Sequence, residues 1–155
     1  MGRVVVRGIV DDDRDRRAMA RLRRQWAEED DGGPIDDPGY EARAVRWIAE
    51  NRSHRLAWLA EVDGAPVGLI TVVVVDRMPQ PGRPDSGWGY VHHFFVAPEH
   101  RGKGIGRRLM DSVVQAAADR GRAQLVLHPR TRSRSFYRRA GFTTADHLMV
   151  RCLDA

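Results

Sequence analysis

The whole chain holds one cysteine, Cys152, and one lysine, Lys103. A single thiol excludes an internal disulfide framework and a cysteine-built metal cluster, and no metal is expected. No apolar run approaches the roughly 20 residues that a membrane helix needs. The opening MGRVVVRGIV shows no long apolar stretch followed by a small-residue cleavage site. No signal peptide is expected, and a cytoplasmic location is the simplest inference. Internal repeats, low-complexity segments and interdomain linkers are also missing. Residues 1–155 therefore read as one domain, long enough to build one core.

With lysine nearly absent, the 26 basic residues are almost all arginine, and the net charge is +5. Such an excess suits a solvated arginine-rich surface or a patch for a phosphorylated or acidic partner. No helix-turn-helix, zinc or RNA-binding signature accompanies it, so nucleic acid is not expected as a partner.

What is present is a regular alternation of apolar segments. RVVVRGIV (Arg3 to Val10) reads as a strand, and Asp11 to Asp13 offer caps for a helix carrying Met19, Leu22 and Trp26. A glycine- and proline-rich loop precedes a second helix, Tyr40 to Asn51. Strands follow at Arg55 to Val62 and Pro66 to Val75, joined by an Asp63-Gly64 hairpin turn. A third, Trp88 to Val96, leads to a helix ending near Gly121. A strand at Ala123 to His128, a short helix at Ser133 to Ala140 and a last strand from about Asp146 to Leu153 complete the pattern. The order β-α-α-β-β-β-α-β-α-β is that of a mixed α/β (α+β) domain with a late strand–helix–strand crossover.

The densest signal is VAPEHRGKGIGRRL, Val96 to Leu109, where Gly102, Gly104 and Gly106 alternate with Arg101, Lys103 and Arg107. A helix start exposes unpaired N–H groups, and glycine lets an anion approach them closely. The P-loop pattern is absent, because no Lys-Ser or Lys-Thr pair exists here. The dinucleotide pattern G-x-G-x-x-G fails on its spacing.

Arg101-x-x-Gly104-x-Gly106, within V-x-P-x-x-R-G-x-G-I-G-x-x-L, resembles the signature of the GCN5-related N-acetyltransferase (GNAT) superfamily. FYRRAGF, Phe136 to Phe142, is similar to that family's F-Y-x-x-x-G-F segment. The resemblance implies a central mixed sheet flanked by helices. It implies acetyl-CoA as acyl donor, lying in a cleft between two splayed parallel strands. Backbone at Phe95 and Val96 would pair with the pantetheine. The turn Arg101, Gly102, Lys103, Gly104, Ile105, Gly106 and Arg107 would hold the pyrophosphate. The acceptor would be a primary amine on a small molecule, a peptide N-terminus or a lysine. Homodimers are common in the family, though no stretch of the chain marks an interface.

The resemblance also implies roles. Tyr137 matches the tyrosine beside the acyl-CoA sulfur, an acid for the leaving thiolate. The strand glutamate that often serves as base is missing. Tyr90 and His92 occupy its places, and His92 is the better base because imidazole titrates near neutrality. By strict alternation Tyr90, His92, Phe94 and Val96 share one face and His93 points to the other. Arg130 stands seven residues before Tyr137, where many members have a cofactor-binding asparagine. The acidic EEDDGG, Glu28 to Gly33, would either attract a cationic amine or form a solvated helix end. The missing glutamate leaves a second reading, a non-catalytic acyl-CoA-binding or regulatory module of the same fold.

Overall fold

A computed structural model describes residues 2–153. Its elements are β1 (Val4–Gly8), α1 (Asp13–Asp31), α2 (Tyr40–Glu50), β2 (Arg55–Val62), β3 (Ala65–Asp76), β4 (Gly87–Val96), α3 (Ile105–Asp119), β5 (Gln124–Leu127) and α4 (Arg134–Arg139). The five strands form one mixed sheet in the order β1-β2-β3-β4-β5. Every pairing is antiparallel except β4 with β5, which is parallel. No helix among the described residues is long and apolar enough to cross a membrane.

Local chemistry sets the boundaries. Asp12 caps α1 by accepting the Asp15 N–H at 2.8 Å, and Gly32 ends it in the left-handed region at φ 81°. Asp63 and Gly64 both adopt positive φ, as a two-residue hairpin between β2 and β3 requires. α3 packs Ile105, Leu109, Met110 and Val113 onto Ala60, Ile70, Val72 and Val91 on one face of the sheet. α1 packs Ala18, Met19 and Leu22 onto Ala57, Leu59, Leu69 and Phe95 on the other. A charged cluster ties the strand edge to α1. The Arg7 guanidinium donates to the buried Asp15 carboxylate at 2.7 and 2.8 Å and to Glu61 at 2.8 Å.

The strand expected at Asp146 to Leu153 does not form. Leu148, Met149 and Val150 are consecutive, so a strand there would show apolar side chains on both faces. Instead Met149 and Leu153 are 98% and 79% exposed, and β5 pairs with β4 alone. The regular elements therefore end at α4.

Candidate active site

The parallel ladder between β4 and β5 stops at Val91 opposite Leu127. β4 runs on through Val96, leaving its backbone without a strand partner on that side. Beyond that end comes the glycine turn. Gly102 and Gly104 sit at φ 70° and 79°, and a Cβ at either would meet nothing within 4 Å. Gly104 is the N-cap of α3, and no side chain caps that terminus. The first N–H groups of α3, at Ile105, Gly106 and Arg107, are thus offered to an outside acceptor, with the helix dipole behind them. An unpaired strand end and an uncapped, open glycine turn leave backbone groups free for an outside ligand with an anionic group.

The basic side chains of the turn are exposed, but each is bonded to another protein group. Arg101 forms two hydrogen bonds to Glu29, at 2.8 and 2.7 Å, and donates through Nε to the Val96 carbonyl at 2.8 Å. Lys103 donates to the Glu99 carbonyl at 2.8 Å, and Arg107 to Asp111 at 2.8 Å. Arg130 pairs in the same way with Asp30, at 2.7 and 2.6 Å, and lies over the Trp26 ring. The EEDDGG stretch is still exposed from Asp30 to Gly32, but Glu29 and Asp30 are engaged in ion pairs. Glu29 and Asp30 bind the glycine turn and the segment after β5 to the end of α1.

β4 departs from strict alternation. Thr71 of β3 pairs with His93 and Val72 with Val91, so His92 is the extra residue of a β-bulge. The bulge corrects the expected facing. Val91, Phe94 and Val96 lie on the α3 face, whereas His92 and His93 both line a cavity under α1 and α2. Their ring centroids are 4.2 Å apart. The Tyr90 ring lies 5.9 Å from that of His92, and its hydroxyl reaches the His128 Nδ1 at 3.4 Å.

Thr71 orients His93. Its Oγ1 accepts the His93 backbone N–H at 3.1 Å and lies 3.1 Å from the ring Nδ1. The two contacts fix the orientation of the His93 ring. Burial, with the charges of His92, Arg23 and Arg55, pulls His93 down to about 4. Burial followed by Arg55 and Arg23 holds His92 below the ordinary histidine value of 6.5. His92 is therefore uncharged at neutral pH and able to accept a proton.

Tyr137 projects from α4 on the other side of β4, in a cluster with Phe94, Phe136 and Phe142 at centroid distances of 6.2, 5.4 and 5.8 Å. Burial raises its pKa, so the phenol stays protonated. Space at Gly106 is tight, since a Cβ there would come 3.3 Å from the Phe94 ring.

Residues 18–142 match the model of the Acetyltransferase (GNAT) family. The chain belongs to that family. An uncharacterized N-acetyltransferase of Archaeoglobus fulgidus is 34% identical over 104 residues, which cover 59% of this chain and 62% of the relative. The chain thus spans about three fifths of that protein. A ribosomal-protein-alanine N-acetyltransferase of Brucella melitensis superposes with a TM-score of 0.71 at 25% identity, covering 98% of this chain and 99% of its own. A "predicted acetyltransferase with acetyl-CoA" of Clostridium acetobutylicum gives a TM-score of 0.75 at 18% identity, covering 97% of this chain and 96% of its own. The GNAT sheet, its β4 end and its glycine turn are the parts that motif and spacing announce. Arg23, Arg55 and Thr71, which line the cavity beside the histidines, belong to no motif or spacing in the sequence. Only Thr71 left a trace, as the one polar side chain in VGLITVVVV.

Proposed function

We propose that this chain transfers an acetyl group from acetyl-CoA directly to a primary amine within a ternary complex. The observation that carries the proposal is the unpaired end of β4 facing an uncapped α3 through left-handed Gly102 and Gly104. Acetyl-CoA supplies an activated thioester carbonyl. The backbone of Phe95 and Val96 aligns the pantetheine arm, and the N–H groups from Gly102 to Arg107 bind the pyrophosphate. Arg101 braces that end by holding the Val96 carbonyl and Glu29 together.

His92 removes the proton that the amine must lose to form the amide, directly or through one water. His93, kept neutral and fixed by Thr71, positions the His92 ring. Tyr137 delivers its proton to the sulfur as the carbon–sulfur bond breaks. The products are the acetamide and free CoA thiol, and solvent returns the two side chains to their starting protonation states.

Steady-state release of CoA thiol, measured with acetyl-CoA against an amine panel, tests this. Transfer with an intersecting two-substrate pattern, and a Tyr137→Phe variant slowed in kcat with unchanged acetyl-CoA affinity, are expected. CoA binding without transfer to any amine, indifferent to Tyr137→Phe, would make the chain a non-catalytic acyl-CoA-binding module.

A further inference from the structure

The cavity beside the histidines has a volume of about 550 Å³. Met19, Trp47, Ile48 and Leu69 give it an apolar wall. Arg23, Arg43, Arg52 and Arg55 also line it, and no aspartate or glutamate does. Two of these arginines are neutralised from outside, Arg43 by Asp37 at 2.6 Å and Arg52 by Asp11. Arg23 and Arg55 have no carboxylate partner among the described residues. Each lies over an indole instead, Arg23 at 4.9 Å from the Trp26 centroid and Arg55 at 4.7 Å from that of Trp47. Arg55 donates to the Asn51 carbonyl at 3.2 Å, but its buried Nε has no partner. A guanidinium presents five donors in a planar fork that matches a carboxylate, and a buried donor left without an acceptor is costly.

We propose that the acceptor is an amine that also carries a carboxylate, bound by Arg23 and Arg55, with an apolar or aromatic body against Trp47 and Ile48. The proposal rests on the acyltransferase reading and narrows it to amino-carboxylates. Its amine would lie toward His92, which lines the same cavity. The charged groups acting on His92 are Arg55 of β2 and Arg23 of α1. A carboxylate between them offsets both charges, so the base strengthens when the amine is in place. An acceptor without an anionic group meets two uncompensated guanidiniums. The nearby acidic residues do not reverse this, because Glu29 and Asp30 are taken up by Arg101 and Arg130.

The test is calorimetry on the full chain with CoA present. The probes are apolar and aromatic L-amino acids, each beside its decarboxylated amine, with putrescine as a dication. At least one amino acid should bind about tenfold to a hundredfold tighter than its amine, the value of a charge-assisted hydrogen bond. Arg55→Gln and Arg23→Gln should each erase most of that ratio without weakening the plain amine, and Arg55→Lys should restore part of it. The proposal is overturned if no amino acid outbinds its amine, if putrescine binds best, or if the arginine variants leave the ratio unchanged. An aminophosphonate that binds tighter than the matching amino acid would overturn the choice of carboxylate. Acetyl-CoA is titrated in the same cell. A wrong amine preference with intact acetyl-CoA binding defeats this inference alone, whereas absent acetyl-CoA binding defeats the acyltransferase reading.

Discussion

The rings of His92 and His93 lie 4.2 Å apart, centroid to centroid, although the two residues are consecutive along β4. In a regular strand they would face opposite sides of the sheet. One inserted residue at the bulge sets both into the cavity under α1 and α2. The site thus gains two imidazoles at the point where β4 loses its parallel partner.

The first prediction concerns pH. His92 must be neutral to accept a proton, and burial with Arg55 and Arg23 keeps its pKa below 6.5. The acid limb of kcat/KM that belongs to His92, which reports the free enzyme, should therefore lie below the ordinary histidine value of 6.5. His92→Ala should lose about a hundredfold in kcat at pH 7, a usual value for a general base. Part of that loss should return at higher pH, where more of the amine is already neutral. A pH–rate series on both proteins checks it, and a variant within twofold of wild type, roughly, would remove His92 from the chemistry.

A second prediction links His93 to stability. Its folded pKa of about 4 lies below the ordinary 6.5. The unfolded chain therefore binds more protons between those values, and stability falls as pH drops through that window. The full contribution is present above pH 6.5 and is lost on approaching pH 4. It is on the order of 2 kcal/mol after allowing for partial solvent exposure. Urea midpoints from pH 7 to 4 should decline less in His93→Gln than in wild type. Parallel declines would contradict the burial argument.

Packing at the start of α3 gives a third. The space at Gly106 is closed by Phe94 at 3.3 Å and Phe136 at 3.6 Å. Gly106→Val should cost about 1–3 kcal/mol by overpacking, and Gly106→Ala distinctly less. Equilibrium unfolding in urea measures both, and equal costs would show that the aromatic pair yields freely.

The Asp15 cluster gives a fourth. Asp15 is 2% exposed and accepts from Arg7 and from the Val10 N–H at 2.7 Å. Asp15→Ala leaves the Val10 N–H without its acceptor and Arg7 with Glu61 as its remaining carboxylate, and should cost about 1–3 kcal/mol. The surface pair Arg107–Asp111 should be worth less than about 1 kcal/mol by the same measurement. Comparable losses for the two sites would refute the assigned difference in burial.

Much of this architecture is legible in the residues themselves. The Asp63-Gly64 hairpin, the caps of α1 and the glycine turn are local features, and local chemistry decides them. FYRRAGF marks α4 in the same way. The facing of His92 was not legible, because a bulge depends on how β3 and β4 register across space. The fate of Leu148 to Val150 was hidden for a related reason, since a strand exists only if another strand is placed to receive it. The cavity arginines come from α1, α2, β2 and the turn between them, so no spacing in the chain brings them together. The pairing of Glu29 and Asp30 with Arg101 and Arg130 likewise joins residues far apart in sequence.

The most direct test of the central claim is calorimetric titration of acetyl-CoA and desulfo-CoA into wild-type protein and Gly104→Asp. Aspartate is a good helix cap, but at φ 79° it strains the backbone and sets a negative charge where the pyrophosphate should lie. Wild-type binding in the micromolar range, lost in a variant that remains folded, is the predicted result. Absence of wild-type binding, or a variant that binds equally well, would contradict the assignment of this turn and strand end to acetyl-CoA.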